Sequence, residues 1–322
     1  SFDLANFYAW IAYPFGLVLS LFYNLSGNYV FSIFALMLVV KLLVLPSSIS
    51  QQKGQAKQAR LQPKIRKIQE RYAGDQQKIN RATQELYQKE GFSAMRGGCA
   101  PMAVQMIVML GLFQVNYHPL SMVLRLPKAL ISEFTAAVTP LLSGSMAKGA
   151  SYRAELYALQ HFSEIKSGIS GLTPEISNKI SSFISRYNFL GLDLAVTPNF
   201  KNFDKYWAIP VITGLIALGT ALYSFIRQKK LTPGNQASNM SMGCMMFMTP
   251  AMQIYFSFLF PTAVGIYIIF SSIISFVQMV VLNHTHSPEK VLARLMIEES
   301  IERRSKEENI KKIAEIKKSG NI

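Results

Sequence analysis

The sequence predicts an all-α polytopic membrane protein: a five-transmembrane-helix core with a cytoplasmic helical hairpin and an N-terminal interfacial helix. Three observations carry that prediction. Half of the residues are hydrophobic and only 16% are charged, with a positive mean hydropathy. The apolar residues collect in long uncharged runs separated by short basic stretches, the composition of a polytopic membrane protein. Those runs lack in/out alternation. Lipid offers the backbone no hydrogen bonds, so a crossing is a helix or part of a closed barrel, and unbroken runs choose helices.

Taken in order, residues 1–28 are expected to lie on the outer face as an interfacial amphipathic segment. Phe7, Tyr8, Trp10, Ile11, Phe15 and Leu19 mix there with Asn6 and Ser20, an aromatic load suited to a membrane surface. Pro14 and Gly16 argue against one continuous spanning helix. A lid packed over the spans is the competing placement. The sequence opens at Ser1 with no basic n-region or cleavage site visible, and removal of a signal segment ahead of it is the open alternative.

Crossing a hydrocarbon core about 30 Å thick takes roughly 20 apolar residues. Residues 29–46 form the first candidate span, 99–124 the second and 206–226 the third. Met242 to Leu282 is uncharged over 41 residues, too long for one pass. Phe260-Pro261 is its natural break, because proline cannot donate a helical hydrogen bond and disfavours helix in the residue before it. The run therefore divides into 242–260 and 261–282, making five spans.

Between the spans, residues 47–98 read as a basic helical hairpin. Leu61, Ile65, Ile68 and Tyr72 repeat at helical spacing, Ala73-Gly74-Asp75 supplies a turn, and Ile79, Ala82 and Leu86 repeat on the return. Residues 125–205 are rich in Gly, Ser and Thr, with helical fragments near 128–142, 151–166 and 174–187. They are expected to form a helical extracytoplasmic loop of no assigned chemistry. Residues 283–322 read as a charged, solvated, frayed helical tail.

Charge sets the orientation. Loop 47–98 holds 11 basic and 4 acidic residues, and loop 227–241 holds Arg227, Lys229 and Lys230 without an acid. Residues 125–205 hold 9 basic and 6 acidic residues over a much longer stretch, which the positive-inside rule discounts. The N-terminus is thus expected outside, with both basic loops and the tail in the cytoplasm. The net charge of +15 follows this topology rather than a nucleic-acid site. The tail carries 9 basic and 7 acidic residues, a weak basis for contact with ribosomal RNA. Cys99 and Cys244 border apolar segments and read as small buried thiols.

Across the five spans the one formal charge is Lys41. A lysine near the middle of a bilayer helix costs a few kcal/mol on insertion scales and usually faces a wet cavity or a partner. No span contains an acid, so an intramembrane ion pair is ruled out. Snorkelling is the competing explanation: Pro46 lies five residues on, roughly 7–8 Å of helix rise, within reach of a long lysine stem. Otherwise Lys41 is the positive charge of a hydrated pocket opening to the cytoplasm. Gln105, Gln114, Asn116, Thr220, Ser224, Thr249, Gln253, Ser271, Ser272 and Gln278 are the polar residues available to line it. Each taken singly reads more simply as an interhelical hydrogen bond.

Catalysis finds little support. His118, His161, His284 and His286 are the only histidines, and none stands with a carboxylate at catalytic or metal-ligand spacing inside a span. There is no glycine-rich phosphate loop. Neither metal nor cofactor is expected, and the many methionines favour adaptable packing.

Certain motifs are specific as an ordered set: VVKLLVLP with Lys41 and Pro46, LQPKI at 61–65, GGCAP at 97–101, VQM at 104–106, FLGLDL at 189–194, and FLFPTAVGIYI at 258–268 followed by Ser271. In these the chain resembles the YidC family of membrane protein insertases, which includes the mitochondrial Oxa-type and thylakoid Albino-type proteins. The resemblance covers most of residues 1–285 apart from the outer loop. It implies five core helices around a hydrophilic groove, open to cytoplasm and lipid and closed to the outside, in the cytoplasmic membrane of a bacterium. Lys41 takes the place of the family's usual arginine, keeping the charge without the planar fork. Tyr267 carries over as a substrate-contacting aromatic, with Ile268 where the family often has a second aromatic. Gln105, Thr220 and Ser271 complete the implied groove, and Pro46, Pro101 and Pro261 are its bend and turn positions. Ile107 replaces a common proline, and the Asn-Pro often preceding Gly-Gly-Cys is absent.

The implied function is insertion of nascent membrane proteins, as insertase and chaperone, alone or beside the Sec translocon. The ribosome is a candidate partner of the hairpin or tail. The alternative is a small-anion transporter or channel using Lys41, against which stands the lack of an inverted repeat among the spans.

Overall fold

The computed structural model describes residues 4–89, 100–141, 150–231, 236–285 and 288–320. Cys99 of the GGCAP run, His286, and the side chains of Pro101 and Gln105 lie outside the described residues. The chain forms two compact units, Ser1–Val44 with Ala103–Val277, and Leu45–Met102 with Gln278–Ile322.

In the first unit, α1 (Leu4–Ser26) runs unbroken through Pro14 and Gly16, and Phe7–Ser26 is long and apolar enough to cross a membrane. Pro14 and Gly16 therefore do not interrupt the N-terminal helix. A proline inside a helix removes one hydrogen bond, a loss that packing of the neighbouring turns can offset. Here Ala12 and Leu19 on either side are fully buried. Gly16 lets the backbone come up against Met122, and the Phe15 ring occupies the space a side chain at Gly111 would need.

Gly27, at φ +67°, turns the chain, and the Asn28 side chain accepts from the Phe31 N–H at 3.1 Å to start α2 (Tyr29–Leu43). That helix ends one residue short of Val44, whose N–H still donates to the Val40 carbonyl. The first apolar run is therefore not one helix as far as Pro46. At 15 residues α2 rises only about 22 Å, and it qualifies as a crossing only together with Leu45–Gly54.

α5 (Ala100–Tyr117) and the short α6 (Pro119–Met122) lead into a helical segment whose buried residues continue the core of α1 and α2. α7 (Lys128–Val138), α8 (Ala150–Gln160), α9 (Phe162–Ile165) and α10 (Pro174–Arg186) bury Leu130, Phe134, Val138, Leu156, Phe162, Ile180 and Phe183. Two short antiparallel strands, β1 (Asn188–Phe189) and β2 (Leu192–Asp193), follow with Phe189 opposite Leu192. Two residues per strand are too few to leave a period-2 signal in the sequence.

α11 (Ala208–Leu231), α12 (Gln236–Leu259) and α13 (Thr262–Thr285) complete this unit's bundle, the last turns of α13 belonging to the second unit. Ile254 of α12 fills the space beside Gly214, and Ile209 fills the space beside Gly265, so α11 meets both later helices closely. Phe260 and Pro261 separate α12 from α13. The first N–H groups of α13 are free to bond elsewhere: Thr262 donates to the Val196 carbonyl at 2.9 Å and Ala263 to that of Leu194 at 3.0 Å. Among the described residues Lys205–Arg227 and Thr262–Thr285 also have span length and hydropathy, and Met106–Tyr117 is a shorter apolar helix.

In the second unit, α3 (Leu45–Arg71) turns through Gly74, at φ +89°, into α4 (Gln76–Lys89). Leu61 and Ile65 are buried, and the Asp75 carboxylate accepts from the Lys78 N–H to cap α4. Pro46 lies in the first turn of α3, where its missing N–H costs nothing. α14 (Pro288–Ser319) is one continuous helix of 32 residues that packs on α3. Gln52 donates to Asn283 at 2.9 Å.

Candidate functional site

Lys41 is in the last turn of α2 and is half-buried. Val40, Met37, Leu36 and Ile33 face the core, whereas Leu42 and Leu43 are exposed. The ammonium has no hydrogen-bond or ion-pair partner among the described residues. Side chains four apart stack along a helix, so Lys41 stands one turn beyond Met37.

Met37 lines a narrow cleft with Met109, Leu112, Tyr267 and Ser271. A cavity of about 300 Å³ shares Met109, Phe113, Ile268 and Ser271 with that cleft and extends between α5, α12 and α13. Its remaining walls are Phe256, Phe260, Gln253 and Ser272. Phe113 stacks on Phe260 at 4.7 Å along its wall. The Gln253 Oε1 is buried without a protein partner among the described residues. An orphan acceptor of this kind calls for a donor, from water or from a bound molecule.

Lys41 lines neither space, and Gln105 is outside the described side chains. Ser271 lines both spaces. Tyr267 lines the cleft but is itself 3% exposed, its hydroxyl buried beside that of Tyr29. Thr220 lines neither of these two spaces; its hydroxyl donates to the Ile216 carbonyl of its own helix at 2.8 Å. Thr213 does the same with Ile209. Such back-bonding satisfies a hydroxyl without any pocket. Pro261 occupies the turn between α12 and α13, its carbonyl receiving the Val264 N–H.

Two groups of buried polar atoms also stand out. Asn116 is fully buried with neither amide atom partnered among the described residues. The hydroxyls of Tyr29, Tyr187 and Tyr267 gather in an aromatic cluster with Phe183, the Tyr29 and Tyr187 rings 5.0 Å apart. Burial pushes the Tyr187 hydroxyl well above its ordinary range, so it remains a neutral donor.

A third group was out of reach from sequence. Glu155 of α8 is buried and bonds the His118 ring, the Ser121 N–H at 2.8 Å and the Ser121 hydroxyl. The carboxylate is 37 residues from His118, with no periodic pattern linking them. The serine hydroxyl meets the carboxylate rather than the imidazole, so the trio lacks the nucleophile–base order of a catalytic triad. It acts as a strut joining α6 to α8. Among the described residues no three His, Cys, Asp or Glu side chains gather as metal ligands.

A family model described as 60Kd inner membrane protein matches residues 21–290. The membrane protein insertase YidC 2 of Listeria innocua is 24% identical over 306 residues, 92% of this chain and 80% of its own length. The insertase MisCA of Bacillus subtilis is 24% identical over 263 residues, covering 80% of this chain and 72% of itself. The insertase YidC of Shewanella halifaxensis is 38% identical over 110 residues, 34% of this chain, and the match spans only 20% of that longer protein.

Proposed function

The chain belongs to the 60Kd inner membrane protein family, that of the YidC insertases, and on that premise we propose that it inserts nascent membrane proteins into a bacterial cytoplasmic membrane. Lys41, Gln105, Thr220, Tyr267 and Ser271 are assigned to a groove that opens to the cytoplasm, with the N-terminus outside, the C-terminus inside and five spans. A client's polar, acidic tail enters that groove and is drawn by Lys41. Its apolar segment then leaves into lipid and gains the transfer energy of hydrocarbon burial. The single observation that carries this mechanism is Lys41: the one formal charge of the apolar runs, half-buried and without an ion-pair partner among the described residues.

Size limits the picture usefully. A helix with its side chains is about 10–12 Å across, and a 300 Å³ cavity holds a few side chains at most. Passage of a client therefore requires α5 and α13 to part, which also uncovers Tyr267. The Sec translocon, and the ribosome through hairpin or tail, are partners this function accommodates.

Reconstituted proteoliposomes test the proposal. Lys41→Arg is expected to insert clients with acidic tails as wild type does, and Lys41→Ala to slow those clients more than neutral-tailed ones. Equal rates for Lys41→Ala on both client classes would refute the attraction step. Photocrosslinkers at positions 41, 105 and 267 should capture a stalled client, and solute flux from the same vesicles would favour the transporter instead.

A further inference from the structure

The FLGLDL run carries, at its second residue, a feature that insertion chemistry does not use. Leu190 has a φ of 53°, in the left-handed region that a leucine rarely adopts, and is 87% exposed at the tip of the β1–β2 hairpin. The Lys205 ammonium donates to the Gly191 carbonyl at 2.8 Å, tying this tip to the loop that enters α11. That loop carries Phe200 and Phe203, 72% and 83% exposed. It is held as a hook because the Trp207 indole N–H donates to both the Asn199 and the Asn202 carbonyls, at 2.9 and 3.0 Å. Phe200 and Phe203 rest on the Trp207 ring, and Trp207 and Phe200 meet Phe258 near the end of α12. Lys201, between the two phenylalanines, is exposed, with no ion-pair partner among the described residues.

Three large apolar side chains are thus pinned in the open by polar contacts made behind them. Exposed apolar groups held in this way mark a contact surface. Continuity with the apolar helix identifies the partner: the hook leads straight into the span Lys205–Arg227, so it stands at the boundary between water and hydrocarbon. Aromatic rings are favoured at that depth, and a lysine beside them meets phosphate.

We propose that Leu190, Phe200 and Phe203 form a lipid-anchoring foot seated in the headgroup region at the N-terminal end of α11, the outer leaflet in the orientation given above, with Lys201 on an anionic headgroup. The foot fixes the depth of α11 and, through Phe258, of the α12–α13 turn.

Nitroxides on Leu190→Cys, Phe200→Cys and Phe203→Cys, in a Cys99→Ser, Cys244→Ser chain, test this in client-free vesicles of phosphatidylethanolamine and phosphatidylglycerol. All three labels should collide preferentially with oxygen over a water-soluble nickel chelate. A label at Glu175→Cys, exposed on α10, should show the reverse. Nickel preference at 200 and 203 overturns the proposal. Low collision with both reagents also overturns it, since that result means another protein surface covers the foot. Lys201→Glu should move labels 200 and 203 toward water in phosphatidylglycerol vesicles and not in phosphatidylcholine; no difference removes the anionic contact. In the label-free chain, Trp10→Phe leaves Trp207 as the only indole, and shallow-brominated lipids should quench it. Absence of quenching again counts against the foot. None of these readouts depends on insertion, so their failure leaves the insertase proposal standing.

Discussion

Asn116 shows how one residue departs from its surroundings. It sits in the apolar run of α5, fully buried, with both amide atoms unpaired among the described residues. A buried polar group without a partner costs about 1–3 kcal/mol, so Asn116→Leu is expected to raise unfolding stability in detergent by about 1 kcal/mol. A drop instead would mean that the amide holds a water or a neighbouring hydroxyl. Gly265 gives the opposite case. A Cβ there would stand 2.3 Å from the Ile209 Cγ2, and overpacking of this kind costs about 1–3 kcal/mol. Gly265→Ala should lower the thermal midpoint, and adding Ile209→Ala should recover part of the loss, because contacting residues couple. Lys41 could be singled out from composition alone, as the one charge among the apolar runs. Asn116 was also visible there, but only packing distinguishes it from the other polar residues of the spans.

At the level of elements, helices with a strong local cause were readable. Pro261 ends one helix and precedes the next because its nitrogen cannot donate; Gly74 and Asp75 turn α3 into α4 through a positive φ and a side-chain cap. α1 runs through Pro14 because packing of the flanking turns offsets the missing hydrogen bond, which the sequence does not display. The segment from α6 to α10 was legible as helical fragments but not as a packed body, since its strut is made by Glu155, His118 and Ser121, brought together from distant positions. Glu155→Ala leaves the Ser121 N–H without its acceptor and should cost about 1–3 kcal/mol locally. Hydrogen exchange should quicken in α6 and α8 while α11 keeps its protection; uniform loosening would argue against a local strut.

For the whole molecule, the distribution of charge matters more than its total. Basic residues crowd 47–98 and 227–241, and the apolar runs hold Lys41 alone. On the insertase reading the membrane potential assists outward movement of acidic tails by roughly 2.3 kcal/mol per charge per 100 mV. Collapsing the potential with an ionophore should therefore slow clients in proportion to their tail carboxylates and leave neutral tails almost unaffected. Equal slowing of all clients would point to a step other than charge transfer.

Membrane residence, helical class, family and the lone cation were all present in the chain as written, because each depends on local composition or on residues close in sequence. Contacts between distant residues were not. Tyr267 lies closed in beside Tyr29, Ser271 borders a cavity that Lys41 does not line, and Lys205 holds the leucine-tipped hairpin. Such placements follow from how helices pack. Packing is set by pairs such as Ile209 with Gly265 and Phe15 with Gly111, whose partners no periodicity relates.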